Sequence, residues 1–171
     1  MSLIERLESY CLTPAMSGFE DEMIKKLKAD LEDYVDEIRV DVLGNVIATI
    51  NGTSADGSDL MIFAHTDSLG MIVKGVEDNG FIRIERVGGV PERILAASNV
   101  VLQTTSGKIV NGVIGFVSHH LTPPEDKYIV KPIGECYVDI GATSAKEVAA
   151  AGVKQAQRQQ IFLYTKHRSL F

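Results

Sequence analysis

The chain has no tryptophan and only 6% aromatic residues, so large rings build little of any core it forms. Its two cysteines, Cys11 and Cys136, show no CxxC or CxH spacing. That excludes a disulfide framework and a zinc knuckle, and free, buried thiols in a reducing compartment are the expectation. No apolar run approaches the roughly 18 residues needed to cross a bilayer. Met1–Cys11 carries charges throughout, without the apolar centre of a signal peptide. A cytoplasmic location and no membrane partner follow as expectations. A net charge of −6 argues against nucleic-acid binding, which needs a basic footprint. No serine or cysteine sits in a GxSxG nucleophile elbow. The most local absence is of acid: residues 154–171 contain no Asp or Glu and carry +4, leaving −10 on the preceding residues.

What is present is 45% hydrophobic residues, enough for a globular core. Leu3, Ile4, Leu7, Tyr10 and Cys11 recur at helical spacing, and Thr13-Pro14 ends that helix. Ser17-Gly18-Phe19-Glu20 reads as a capping box with Ser17 as N-cap. The stripe Met23, Ile24, Leu27, Leu31, Val35 then predicts an amphipathic helix over 18–35. Ile38, Val40 and Val42 alternate as a strand, Leu43-Gly44-Asn45 turns, and Val46 to Ile50 returns. Leu60 to Ala64 is apolar on both faces, as expected of a central strand in an α/β sheet. After Gly70 short strands and turns follow, with Asp78-Asn79-Gly80 as a hairpin signal between 71–77 and 81–87. Further strands are expected at 99–104, 108–111, 113–117 and 136–140, which reads as a small β-barrel or sandwich. Ser144 with Glu147 opens a short helix that Gly152 ends.

The feature richest in chemistry is Phe63-Ala64-His65-Thr66-Asp67. Residues two apart on a strand share a face, so Asp67 can fix the tautomer of His65 and leave its other nitrogen for a metal. A buried His bonded to a nearby carboxylate is the structural alternative. One imidazole does not complete a metal site. His119-His120 are adjacent and would face opposite ways on a strand, so a loop entry before Pro123-Pro124 is the expectation. His167 in the tail is assigned no role. Asp78 lies in a turn that lacks the calcium-loop pattern, and Asp139 is expected to serve a turn or a cap. Asn51-Gly52-Thr53 is a formal glycosylation sequon that reads as loop.

Six segments in order resemble the dinuclear metallo-aminopeptidases that include glutamyl and tetrahedral aminopeptidases, some of them named endoglucanase-like or FrvX-like. They are Thr13–Glu20, Asp41–Ala48, Ala64–Val73, Asp78–Phe81, Val87–Gly89 and Val138–Ser144. The resemblance covers residues 3–153 and only the N-terminal portion of the family. It implies an α/β fold, the start of an open-sheet metallopeptidase domain followed by a small β-barrel-like insert domain. Residues 1–68 would begin the peptidase domain, residues 69–153 would form the insert through which copies assemble into homo-oligomers, and residues 154–171 would be an atypical tail, out of frame or truncated.

It implies metal-dependent aminopeptidase activity on peptide substrates, with two divalent ions, zinc or cobalt, sharing a bridging water and a Glu as general base. His65 matches the first metal ligand, and Asp67 matches the catalytic residue that orients it. Ser68 departs from the usual Glu. The remaining ligands and the general base are expected beyond this portion, so weak metal binding or none is expected of this chain. A non-catalytic assembly module is the alternative, with Ile72, Val76, Phe81, Ile84 and Val113 divided between core and interface.

Overall fold

The computed structural model describes residues 1–54, 57–104 and 106–153, and the backbone of 160–163. Helices and strands are mixed, and the chain divides into two compact units, Met1–Ser68 and Leu69–Phe171.

Unit one opens with α1 (Leu3–Cys11). Ser2 accepts from the Glu5 amide and the Glu5 carboxylate accepts from the Ser2 amide, a reciprocal cap not foreseen from the sequence. α2 (Asp21–Leu31) continues as a 3-10 turn, Glu32–Tyr34, so the stripe predicted over 18–35 is helical only in part. The reason lies at its start: Ser17 does not cap it, and the Glu20 carboxylate instead takes the Gly18 amide at 2.8 Å. β1 (Glu37–Val40) and β2 (Val46–Thr49) pair antiparallel around a turn in which Asp41 accepts from the amides of Leu43 and Asn45 and from the Asn45 side chain.

Leu60 to Ala64 departs from expectation. Leu60, Met61, Ile62 and Phe63 are 85, 80, 87 and 85% exposed, and no described strand pairs with them. A strand apolar on both faces is buried only when sheet neighbours and covering layers exist, and unit one supplies none among its described residues. Cys11 likewise lies exposed rather than buried, because α1 buries none of its residues, whereas Cys136 is buried as expected and both thiols are free. The buried hydrophobic residues described in this unit are Ala15, Met16 and Met23.

Unit two is a closed antiparallel barrel of β3 (Gly70–Val76), β4 (Ile82–Val87), β5 (Asn99–Gln103), β6 (Ile109–Gly115), β7 (Tyr137–Asp139) and β8 (Gln160–Leu163), in the order β3-β4-β7-β6-β5-β8. The Asp78-Asn79-Gly80 hairpin forms where the sequence placed it, and the two short strands expected at 108–117 are one strand, β6. Inward positions alternate along the strands: Met71 and Val73, Ile82 and Ile84, Val100 and Leu102 enter one core with Leu95, Ile114 and Val138. β8 belongs to the stretch set apart by its charge, and it pairs with both β3 and β5. α3 (Ala145–Ala150) starts from Ser144, whose side chain accepts from the Glu147 amide, while Glu147 reaches back to Thr143. Asp139 accepts from the Gly141 amide at 2.7 Å, a turn contact.

Two outcomes test this account. Gly80 has φ +92°, and an added Cβ would sit 2.4 Å from the Ala142 carbonyl oxygen, whereas a Cβ on Gly107, at φ +80°, meets nothing within 4 Å. Gly107→Ala should therefore cost about 1 kcal/mol in urea unfolding, and Gly80→Ala at least about 2 kcal/mol; equal costs would contradict the packing described. Asp41 is held below the usual carboxylate range, chiefly by the Asn45 side chain and then by the backbone amides of Asn45 and Leu43. A lowered pKa stabilises the turn above the ordinary carboxylate range and loses that contribution as pH falls through the lowered value. The amide resonances of Leu43 and Asn45 should titrate together below the range of an ordinary Asp, and Asp41→Asn should remove the transition.

Candidate metal-ligand site

The site is built where two distant stretches of unit one meet. After α1 the chain turns at Thr13-Pro14 and runs through Ala15 and Met16, both fully buried. The Ser68 amide donates to the Ala15 carbonyl at 2.7 Å, and Met16 and Ser68 form a parallel bridge. This joint sets Ser17 beside Asp67. Gly18, at φ +83°, then lets the chain bend away, and the Phe19 amide closes the turn on the Met16 carbonyl at 2.8 Å.

Three side chains follow in sequence across that joint. The Ser17 hydroxyl donates to Asp67 Oδ2. Asp67 Oδ1 lies 2.9 Å from His65 Nδ1, and the Asp67 carbonyl oxygen lies 3.1 Å from the same nitrogen. Two oxygen acceptors at Nδ1 place the ring hydrogen there and leave the lone pair on Nε2. The Asp67 carboxyl is held below the usual range first by the Ser17 hydroxyl and then by His65, which keeps it an ionised acceptor. The His65 side chain is 85% exposed and that of Asp67 39% exposed, so the imidazole is presented rather than enclosed. Both line a broad open groove with Glu20, Leu27, Val46 and Ile62.

Among the described residues no group of three His, Cys, Asp or Glu side chains could hold a metal ion. His65 and Asp67 come together, but they amount to one ligand and its orienting partner. His119 and His120 pack edge to face with centroids 6.1 Å apart, and both are exposed. Asp78 lies in the hairpin turn and Asp139 ends β7 in unit two, and His167 lies outside the described residues. Ser17 was not foreseen beside Asp67 because the S-x-x-E pattern offered a local use for it, and no sequence signal joined it to a residue so far along the chain.

Loss of the buried side chain beneath the joint should loosen it. Met16→Ala is expected to cost about 2–5 kcal/mol, as large-to-small core changes do, and to raise hydrogen exchange at the Ser68 amide. An unchanged Ser68 exchange rate would show that Met16 does not hold the joint.

The sequence profile of the M42 glutamyl aminopeptidase family matches residues 44–167. Lysyl aminopeptidase of Pyrococcus furiosus is 32% identical over 152 residues, which is 88% of this chain and 43% of that protein. The aminopeptidase APDkam598 of Desulfurococcus kamchatkensis superposes with a TM-score of 0.83 at 33% identity, covering 92% of this chain and 42% of that one. The TET1 peptidase of Pyrococcus horikoshii, which can assemble into a tetrahedron or a large octahedral shell, superposes with a TM-score of 0.79 at 32% identity, over 95% of this chain and 46% of that one. The chain thus spans about two fifths of the length of the curated relatives it matches.

Proposed function

The chain belongs to the M42 glutamyl aminopeptidase family, and from that premise we propose that it forms the first part of a metal-dependent aminopeptidase that releases N-terminal residues from peptides. The observation that carries this reading is the His65 imidazole, with Nδ1 bonded to Asp67 and Nε2 left as a donor atom. A neutral imidazole with its second nitrogen bonded to carboxylate or carbonyl is how zinc-binding histidines are held. His65 fits one ligand position of a divalent ion, zinc or cobalt; the other positions need donors from outside the cluster around it. An ion held there supplies Lewis acidity toward a scissile carbonyl and a more acidic bound water. This chain's own part is to present Nε2 and keep Asp67 charged behind the ring.

In this reading residues 1–68 belong to the peptidase domain, residues 69–153 are the insert through which copies of the chain assemble, and residues 154–171 are a tail that lends β8 to the barrel. The exposed run Leu60–Phe63 fits a unit that is one portion of a larger sheet. The assembly of the relative from Pyrococcus horikoshii supports a homo-oligomer, and exposed Leu121 and Tyr128 on unit two give apolar surface for it. A cytoplasmic location accords with this, and no described helix is long and apolar enough to cross a membrane.

A second reading, a non-catalytic assembly module, is favoured by the contrast between a barrel with a contiguous core and a site with a single ligand. Cobalt titration followed by calorimetry separates the two, combined with a peptide-release assay and sedimentation. Weak cobalt binding that His65→Gln abolishes, together with peptide release above that of the metal alone, is the outcome expected of the enzyme. Binding unaffected by His65→Gln would remove His65 as a ligand, and a stable oligomer without turnover would leave the assembly module.

A further inference from the structure

We infer that Ser17 is a positioning residue for His65, acting through Asp67 across the joint between residues 15–17 and 67–68. This role rests on the proposed reading of His65 as a ligand through Nε2.

Four observations converge on it. First, Ser17 is released from the helix-capping task that its sequence suggests. α2 starts at Asp21, its N-cap position is Glu20, and no side chain caps it. The Gly18 amide is already bonded to Glu20. Second, the hydroxyl donates to Oδ2, leaving Oδ1 for His65 Nδ1, so the two carboxylate oxygens are divided between the two partners. A carboxylate held at one oxygen keeps the other in a fixed direction; held at neither, it rotates with its side chain.

Third, the backbone behind Ser17 is rigid. Ala15 and Met16 are fully buried, the Ala15 carbonyl receives the Ser68 amide, and Met16 bridges Ser68. The hydroxyl is therefore anchored on a part of this unit with a packed underside. Fourth, among the described residues the imidazole has no comparable support of its own. Its side chain is 85% exposed, and among the described residues its hydrogen bonds both run to Asp67. An exposed ring held by one residue takes its orientation from whatever holds that residue. Ser17 thus completes a three-member relay, Ser17 to Asp67 to His65, in which the hydroxyl sets the carboxylate, the carboxylate sets the ring tautomer, and the tautomer leaves the lone pair on Nε2.

The test needs no metal and no turnover. Nitrogen-15 NMR of the metal-free chain at alkaline pH reads the imidazole tautomer directly, with the His65 signals assigned by their loss in His65→Gln. In the unsubstituted chain His65 should be chiefly the Nδ1–H form. Ser17→Ala should lower the ratio of Nδ1–H to Nε2–H by about threefold to tenfold, the shift expected when one orienting hydrogen bond of ordinary net strength is lost. Ser17→Thr keeps a hydroxyl and should restore the ratio, and Ser17→Cys, with its weak S–H donor, should fall between. If one variant fails to fold, the order is read from the remaining ones. A ratio that ignores the donor at residue 17, or a threonine that fails to restore it, would overturn the assignment. The outcome is independent of cobalt binding: a donor-dependent tautomer in a chain without His65-dependent binding keeps the relay and removes the metal reading, and the converse removes only the relay.

Discussion

Closure of the barrel by β8 is the constraint on which the larger part of this structure depends. β3 and β5 are not neighbours, and each keeps one row of backbone donors and acceptors for β8, which pairs Met71 with Ile161 and Val101 with Phe162. With that strand in place the sheet has no edge, and the apolar face inside it is sealed around Ile82, Leu102, Ile114 and Val138. Without it, two rows of unpaired peptide groups would be exposed along the sides of the same core. The stretch of chain that is least like the rest in charge therefore contributes the pairing that completes the sheet.

Unit one follows a different logic. It buries few side chains, and its best-packed point, Ala15 and Met16, lies directly behind the candidate site rather than at the centre of a broad core. Packing there sets the distance between two stretches of chain that carry the chemistry. The price is a unit that leaves Leu3, Ile4, Leu7 and the run Leu60–Phe63 facing solvent. The same economy shows at the site itself: a single imidazole, fully oriented on one side and open on the other. In the proposed reading, that arrangement suits one ligand of a site that other donors would complete.

Much of this was legible in the residues. The alternation in 71–77 and 81–87 and the Asn79-Gly80 turn placed the first hairpin, because strand period and turn chemistry act within a few residues. The helical stripe of Leu3, Leu7 and Cys11 placed α1, although not which of its faces would be covered. His-x-Asp spacing correctly brought His65 and Asp67 together, since two residues that close need no distant partner to meet. The same local reasoning failed at Ser17 and at Leu60–Ala64. In both, the deciding partner lies far along the chain or is not there: Asp67 is fifty residues from Ser17, and the buried-strand pattern of Leu60–Ala64 finds no described neighbour.

Periodicity, turn residues and short spacing act locally, and they were enough for the mixed helix and strand class, the positions of the hairpins, the free thiols and the pairing of His65 with Asp67. The closing of a barrel by the acid-free tail, and the turning of Ser17 from a helix cap into the anchor of Asp67, came from long-range contacts. Each of those outcomes depends on which distant segment a donor meets, and no pattern within a few residues of Ser17 or Gln160 records where residues 67–68, 71 or 101 will lie.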